Sequence, residues 1–367
     1  MADHRLTSLD AFRGLTIAGM IIVNNPGSWE FVYAPLRHAE WHGWTPTDLI
    51  FPFFLFIVGV SMTLSLSWHA GEGESTRSLY LKMFKRAVLM FSLGAFLHLF
   101  PHFHFSTMRV PGVLQRIAVC TLFGALIDIT VKDKGRAAAA FLALAGYWLL
   151  MKLIPVPGYG PGVLDYNGNL CGYIDTKLMA GHLYKPEFDP EGLLSTIPAV
   201  ATVLLGTLVG DWLRSKRGDI QKKVGLLAGG TILAAAGLFL QAYFPINKQL
   251  WTPTYVLFTG GVAALLFGLF HVLMDGMRVH KWATPFIVFG TNSILAYAGS
   301  TLLVKVMALI KVTAGGKTMG LQPWIYRNLF VPWAGNLNGS LAYAVFYTLL
   351  WLMLLIPLYR KKVFIRI

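Results

Sequence analysis

One histidine and one aspartate, ten residues apart, could form an acid–base pair. His38 lies in the run L-R-H-A-E-W-H-G-W-T-P-T-D, which ends at Asp48. A carboxylate behind an imidazole fixes the tautomer of the ring and prepares it to act as a general base. The T-P-T-D end of the run also has the pattern of a helix start, in which Asp48 would serve only the helix N-terminus. His42 competes with His38 for the role of base, and the spacing alone leaves these interpretations open.

Polar side chains inside apolar segments are costly and are therefore candidates for function. Asp10 and Arg13 are three residues apart, which favours an ion pair or an arginine that binds an anion. Asn24 and Asn25 precede a Pro-Gly step, where asparagine either ends a helix or acts as a ligand. No Cys or His spacing resembles a zinc site, and no metal is predicted.

Two further groups of polar residues stand beside apolar runs. Arg109, Gln115 and Arg116 belong to the run R-V-P-G-V-L-Q-R, in which the arginines could reach water or clamp a phosphate. Asn292 and Ser293 lie in G-T-N-S-I-L-A-Y, which we expect to form an apolar helix. There, polar side chains most often connect neighbouring helices.

The composition shows what kind of element must position these residues. Of the 367 residues, 55% are hydrophobic and 13% are charged, whereas soluble domains carry about 25% charged residues. Such a chain cannot cover a water-facing surface, which excludes disorder, nucleic-acid-binding domains and ordinary cytosolic enzymes. The net charge of +14 then indicates membrane topology rather than a nucleic-acid partner.

Ten apolar segments have the length that a bilayer requires. We predict an all-α polytopic transmembrane bundle with spans at about 9–25, 45–67, 83–100, 113–131, 137–154, 192–213, 224–243, 254–274, 284–309 and 340–358. An even number places both termini on one side, which carries 20 of the 31 Lys and Arg residues and is therefore predicted to be cytoplasmic. We expect a single domain, 1–367, with outer loops at 155–191 and 311–339. The aromatic residues, Asp165 and Asp175 of the first loop suit a sugar-facing surface or a structural lid.

Nearly the whole chain resembles, in order, the transmembrane heparan-alpha-glucosaminide N-acetyltransferase family. The matching segments include R-L-T-S-L-D-A-F-R-G-L, H-A-E-W-H-G, D-L-I-F-P-F-F-L-F-I-V-G, R-V-P-G-V-L-Q-R, N-S-I-L-A-Y and Y-R-K-K-V-F-I-R-I. The resemblance implies an enzyme that passes the acetyl group of cytoplasmic acetyl-CoA across the membrane to the amine of a glucosamine. It places the active-site histidine at His38, a partner asparagine at Asn24 and an acidic residue at Asp48.

The same resemblance, together with the polar groups above, gives an expected binding set for acetyl-CoA: Arg5, Arg13, Arg109, Gln115, Arg116, Asn292, Ser293 and Arg366. It also implies a homodimer. The first apolar segment has no cleavage site and we expect it to be retained, which suits a bacterial inner membrane with the acceptor in the periplasm.

Two other classes of protein fit the same pattern of charges and buried polar residues. One is a multi-span transporter or flippase for a sugar or lipid-linked sugar, and the other is an O-acetyltransferase of a cell-surface polysaccharide. His38 in its H-A-E-W context favours acyl transfer, because transport does not require it. The expected partners are acetyl-CoA, an amino-sugar or oligosaccharide acceptor, the lipid bilayer and a second copy, and no nucleic acid.

Overall fold

The computed structural model describes residues 6–71, 73–314 and 316–365, and these residues are mostly helical, as the sequence predicts. The α-helices of these residues are, in chain order, α1 (Thr7–Asn24), α2 (Pro46–Gly71), α3 (Thr76–Leu99), α4 (Val113–Thr130), α5 (Asp133–Leu153), α6 (Leu170–Met179), α7 (Thr196–Arg214), α8 (Asp219–Leu240), α9 (Pro253–Phe270), α10 (Thr284–Thr291), α11 (Ser293–Leu309), α12 (Leu321–Ile325) and α13 (Val331–Arg360). Two strands, β1 (Lys311–Ala314) and β2 (Lys317–Gly320), form an antiparallel hairpin.

Within the described ranges, seven helical segments are long and apolar enough to cross a membrane, or eight if α10 and α11 together form one bent span. The predicted spans 9–25 and 83–100 are helical as parts of α1 and α3, but these two helices are not among the seven. Asp10 and Arg13 lower the mean hydropathy of α1, and four basic residues interrupt α3. The number ten and the cytoplasmic position of the termini therefore stay predictions.

The two predicted outer loops contain more regular structure than their composition indicates. Helix α6 lies within 155–191, and the side chain of Asn169 caps it by accepting the N–H of Gly172 at 2.8 Å. The hairpin, α12 and the start of α13 occupy 311–339. Gly335 has a φ of 71°, which lets the chain kink inside α13. The turn-forming residues of these two segments therefore lie between short helices and strands, and the segments are not long irregular loops.

The chain divides into two compact units. Unit 1 consists of the described residues up to His38, of Thr45–Phe51 and of the residues from Leu273 onward. Unit 2 consists of Ala39–Trp44 and Pro52–Val272. The prediction of a single domain over 1–367 stays a prediction.

Unit 1 is built around the crossing of α1 and α10. A Cβ atom on Gly14 would overlap the carbonyl oxygen of Phe286, and one on Gly290 would overlap the carbonyl oxygen of Asp10. The two backbones therefore touch, as small residues allow in membrane-helix packing.

The predicted span 284–309 is not one continuous helix. Asn292, between α10 and α11, has φ −128° and ψ 44°, and the two helices meet at an angle of 72°. Its Nδ2 donates to the carbonyl oxygen of Val363 at 3.2 Å, and its Oδ1 accepts the N–H of Ile365 at 2.9 Å. The expectation that Asn292 and Ser293 lie inside an uninterrupted helix was wrong, because the Asn292 amide binds the C-terminal segment of the chain at a break.

Unit 2 packs its helices mainly as the pairs α3–α4, α5–α7 and α8–α9. At one end of α5, the buried hydroxyl of Tyr147 donates to the carbonyl oxygen of Leu250 at 2.6 Å and contacts the thiol of Cys171. Cys120 and Cys171 are buried and form no disulfide. Residues from distant parts of the chain thus hold the loops of unit 2 on the helix ends.

Candidate active site

His38 and Asp48 are in direct contact in the connector between α1 and α2. The His38 Nδ1 atom lies 2.7 Å from Asp48 Oδ1. The Asp48 side chain is 1% exposed, whereas that of His38 is 43% exposed. The carboxylate is therefore shielded from water, while the imidazole reaches the surface of unit 1.

The same Asp48 carboxylate also begins α2. Its second oxygen, Oδ2, accepts the backbone N–H of Thr45 at 3.0 Å, which is the acidic half of a capping box. The Thr45 hydroxyl donates to the carbonyl oxygen of Arg37 at 2.6 Å. The helix cap and the residue that precedes His38 are thereby tied together, and this fixes the imidazole relative to the carboxylate.

The contact with Asp48 determines where the proton of a neutral His38 ring lies. An ionised carboxylate only accepts hydrogen bonds, so His38 Nδ1 must carry the hydrogen. In the neutral ring, the lone pair is then on Nε2. This atom can take a proton from an amine or attack a carbonyl carbon.

His42 is held in the opposite tautomer, in unit 2. Asn247 accepts the N–H of Leu250 at its Oδ1 (2.9 Å), so its Nδ2 faces His42 Nδ1 at 3.3 Å. Because an amide nitrogen only donates, His42 Nδ1 accepts and Nε2 carries the hydrogen. Burial lowers the pKa of His42 against the opposing charge of Asp165. The lone pair of His42 is thus already used, which favours His38 as the base.

The two asparagines at the end of α1 have different environments. Asn25 is buried, and its Nδ2 donates to the carbonyl oxygen of Ile21 at 2.7 Å. Asn24 is the last residue of α1 and is exposed, in the same connector that carries His38. Asn25 is therefore the helix terminator, and Asn24 is the asparagine whose side chain a ligand could reach.

Three of the residues predicted to bind the acetyl donor lie close to the break in unit 1. Arg13 forms an ion pair with Asp10 at 2.9 Å, and its Nη1 lies 3.4 Å from the carbonyl oxygen of Gly290. Asn292 is fully buried by its contacts with the C-terminal segment, and Ser293 starts α11. Arg5 and Arg366, predicted for the same site, lie outside the described residues.

The other three predicted donor-binding residues lie in unit 2 and contact protein groups. Arg109 donates to both oxygens of Asp189 at 2.8 and 2.6 Å and to Glu191 at 2.5 Å. Burial would lower the pKa of Arg109, but the two carboxylates outweigh it and raise the pKa above its usual value. Arg116 donates from Nη2 to the carbonyl oxygen of Gly192 and to the Ser195 hydroxyl at 2.9 and 2.5 Å.

Gln115, beside Arg116, is also buried, and its Nε2 lies 3.4 Å from His98 Nδ1. The geometry thus gives Arg109 a pair of carboxylates as partners and ties Arg116 to the start of α7. The assignment of Arg109, Gln115 and Arg116 to acetyl-CoA stays a prediction.

The two loop carboxylates expected on a sugar-facing surface differ in exposure. Asp165 is exposed, but Asp175 is fully buried, and its Oδ1 accepts the N–H of Leu193 at 2.9 Å. Burial raises the pKa of Asp175 to about 6. Asp175 therefore belongs to the interior of unit 2 and cannot meet a sugar.

Two features of the site region were not predicted from the sequence. The break at Asn292 was partly indicated by its residue types, since asparagine and serine side chains compete with helical hydrogen bonds. No sequence pattern indicated the contact of Asn247 with His42, because 205 positions separate the two residues.

Comparisons with known proteins place this geometry in context. A family model described as "Heparan-alpha-glucosaminide N-acetyltransferase, catalytic" matches residues 5–243, a range that includes His38 and Asp48. The Homo sapiens heparan-alpha-glucosaminide N-acetyltransferase is 29% identical over 429 aligned positions, which cover 99% of this chain and 60% of the human protein. The Mus musculus protein of the same name is 29% identical over 359 positions, which cover 82% of this chain and 54% of the mouse protein. The chain thus spans a little over half the length of these relatives.

Proposed function

Since the chain belongs to the heparan-alpha-glucosaminide N-acetyltransferase family by its match over residues 5–243, we propose that it is a membrane-embedded acetyltransferase. The donor is acetyl-CoA and the acceptor is the amine of a glucosamine-type sugar. The observation that carries this proposal is the 2.7 Å contact between His38 Nδ1 and the buried Asp48 carboxylate, the arrangement in which a carboxylate orients a general base.

In the direct route, His38 Nε2 takes a proton from the acceptor amine as its nitrogen bonds to the acetyl carbon. The carbon–sulfur bond of the thioester breaks, and the CoA sulfur leaves with the electron pair and is protonated. Asp48 stabilises the imidazolium that forms. Asn24, exposed in the same connector, could donate to the carbonyl oxygen as negative charge develops on it.

In the two-step route, His38 Nε2 bonds to the acetyl carbon, the carbon–sulfur bond breaks, and CoA leaves as the thiolate, which water protonates. The amine nitrogen then bonds to the acetyl carbon, the bond from this carbon to Nε2 breaks, and the amine proton passes to Nε2. Incubation with labelled acetyl-CoA and no acceptor distinguishes the routes. Label retained on the wild-type chain and absent from His38→Ala supports the two-step route, and no label on either supports the direct route.

Unit 1 offers groups that fit the phosphates of a CoA donor. The first turn of α11 begins at the break, so its N–H groups and the positive end of its dipole face the residues near Ser293. The guanidinium of Arg13 lies near the same break, 3.4 Å from the carbonyl oxygen of Gly290. Multiply charged phosphates would be costly in hydrocarbon unless they are paired, so we place them here, beside Arg13 and the start of α11.

We further propose a bacterial inner membrane as the location, with acetyl-CoA in the cytoplasm and the acceptor in the periplasm. The basis is the charge distribution, since 20 of the 31 basic residues lie on the side that holds both termini under the ten-span arrangement. A homodimer is part of the same proposal and derives from the resemblance to the family alone.

The test uses the purified chain with acetyl-CoA and glucosamine, and follows release of the CoA thiol and the mass and linkage of the sugar product. An amide product that disappears in His38→Ala supports N-acetyl transfer. An ester product would support an O-acetyltransferase instead. A folded protein that binds acetyl-CoA but shows no His38-dependent thiol release would favour a transporter.

A further inference from the structure

Unit 2 contains an apolar cavity of about 470 Å³. Its walls come from α3, α4, α5 and α7 and include Phe91, Phe123, Ala143 and Val200. We call it the α4 cavity, because α4 lines it from its first turn to its last. Three of the four helices, α4, α5 and α7, are long and apolar enough to cross a membrane, and in a bilayer hydrocarbon would face such walls.

The α4 cavity is open along one side. Phe123 on its wall is 50% exposed, and Leu193 at its rim is 46% exposed. An apolar void that stays empty loses the dispersion contacts that a filling group would make. Between helices that cross a bilayer, the groups available to fill it are hydrocarbon chains rather than water.

One end of the α4 cavity is polar, and its polar groups are incompletely paired. Arg116 and Gln115 are 2% and 3% exposed. Among the described residues, Arg116 Nε and Nη1 and Gln115 Oε1 have no hydrogen-bond partner. A buried donor on a charged group is rarely left unpaired, so this end fits a ligand with acceptor oxygens for Arg116 and a hydroxyl or ammonium donor for Gln115.

The polar and apolar parts of the α4 cavity follow one another along α4. Ile127, on the apolar wall, is eleven residues beyond Arg116, a distance of about 16 Å at 1.5 Å per residue. The site therefore suits an elongated molecule with a charged or ester-bearing head and a hydrocarbon tail.

We propose that the α4 cavity binds one membrane phospholipid. Its phosphate or ester oxygens accept hydrogen bonds from Arg116, its head group donates to Gln115, and one acyl chain lies along Phe123 and Ile127. The positive charge of Arg116 is the reason to choose a phospholipid over an uncharged hydrocarbon. Arg116 and Gln115 then bind the lipid instead of acetyl-CoA, and the acetyl transfer proposed at His38 and at the break in unit 1 does not require them.

The test uses the full chain in vesicles of phosphatidylethanolamine and phosphatidylglycerol, in which some acyl chains carry a photoactivatable diazirine. After illumination, labelled peptides are mapped by mass spectrometry. We expect label to concentrate at Phe123 and Ile127 relative to Phe239, which is 72% exposed on α8 and reports ordinary contact with bulk lipid. Equal labelling of the three positions would overturn the proposal.

Variants in which a larger side chain fills the α4 cavity provide a matched comparison with the wild-type chain. Ala143→Phe places a ring in the path of the acyl chain and should lower labelling at Phe123 by about tenfold, equivalent to about 1.4 kcal/mol. Ala138→Phe is the control, because Ala138 is exposed on the same helix outside the cavity. Val200→Phe fills the opposite wall and serves if Ala143→Phe does not fold, as judged by its thermal midpoint.

Three further results would count against the phospholipid. Unchanged labelling in both filled variants means that no chain occupies the cavity. Crosslinks between two protein chains at Phe123 would identify a second copy as the occupant. If an uncharged diacylglycerol probe labels as strongly as the phospholipid probe, and Arg116→Gln does not weaken either, the head-group assignment is wrong.

Discussion

At the scale of single residues, Asp48 contacts the proposed base and the start of a helix with different oxygens. Oδ1 orients His38, and Oδ2 accepts the N–H of Thr45 at the start of α2. A helix cap is a rigid support, since it is fixed by the first turn of a 26-residue helix. The imidazole is therefore positioned by an element that would exist without any substrate.

The Asp48→Asn variant should remove activity without removing the helix cap. The asparagine Oδ1 can still accept the N–H of Thr45, which turns its Nδ2 towards His38. His38 Nδ1 must then accept, and the hydrogen moves to Nε2, so that the ring is no longer a base. We expect kcat for CoA release to fall by about 10²–10⁴-fold with a nearly unchanged thermal midpoint.

His42→Gln is the matched control for this prediction. Because Asn247 already holds the His42 lone pair, the substitution should leave kcat close to the wild-type value. If His42→Gln abolishes CoA release while Asp48→Asn does not, the two histidines have been assigned the wrong way round.

Asp175 should make the stability of unit 2 depend on pH. Burial raises its pKa from 3.8 to about 6 in the folded chain, so the folded state holds the proton more tightly than the unfolded state. Stability contributed at this site therefore falls as pH rises from about 4 to about 6, by about 3 kcal/mol in total.

The measurement is the thermal midpoint of wild type and Asp175→Asn in detergent across this pH range. The difference between the two, in favour of the variant, should grow from pH 4 to pH 6 and stay constant above it. A difference that does not vary with pH would mean that Asp175 ionises freely in the folded protein.

At the scale of helices, unit 1 depends on backbone contact between α1 and α10. Gly14→Ala would push a methyl group into the carbonyl of Phe286, and this overpacking should lower the free energy of unfolding by about 1–3 kcal/mol or more. Gly146→Ala in α5 is the control, because a Cβ there meets no atom within 4 Å, and it should be neutral or stabilising by about 0.5–1 kcal/mol. Equal midpoints for the two variants would contradict the close crossing.

The break between α10 and α11 should control the C-terminal segment. Asn292→Ala removes both hydrogen bonds to that segment, so the N–H of Ile365 should exchange with deuterium faster. If the donor binds near this break, KM for acetyl-CoA should rise more than kcat falls. Asn328→Ala is the comparison, since Asn328 is exposed and its Nδ2 donates to the carbonyl oxygen of Trp324 one turn earlier. Unchanged exchange at Ile365 would show that other contacts hold the segment.

At the scale of the whole molecule, the ten-span arrangement predicts which segments face the cytoplasm. We expect a C-terminal fluorescent reporter to be active in the cytoplasm. In intact cells, Tyr159→Cys in the 155–191 segment should react with an impermeant maleimide, while Lys216→Cys after α7 should react only after lysis. The native Cys120 and Cys171 are buried and should give little background. The reverse pattern of labelling would invert the topology and place the proposed donor site on the wrong side.

Local patterns in the sequence were sufficient for several conclusions. Apolar length located the helices, since a membrane segment must satisfy its backbone groups internally. The T-P-T-D pattern located the start of α2, and the order of motifs across the chain indicated the family. Composition did not fix the number of spans, because charged residues such as Arg13 and Lys85 lower the mean hydropathy of α1 and α3.

The tertiary structure decided questions that depend on partners far apart in the chain. Asn247 fixes the tautomer of His42, and Asp189 pairs with Arg109 from 80 positions away. The carbonyl oxygen of Val363 accepts a hydrogen bond from the Asn292 amide. A sequence shows which side chains can donate or accept, but the partner is set by how helices pack, and hydrogen bonds require contact within a few ångströms. For that reason the sequence named both histidines, and only the folded chain showed that His38 contacts a buried carboxylate whereas His42 contacts an amide.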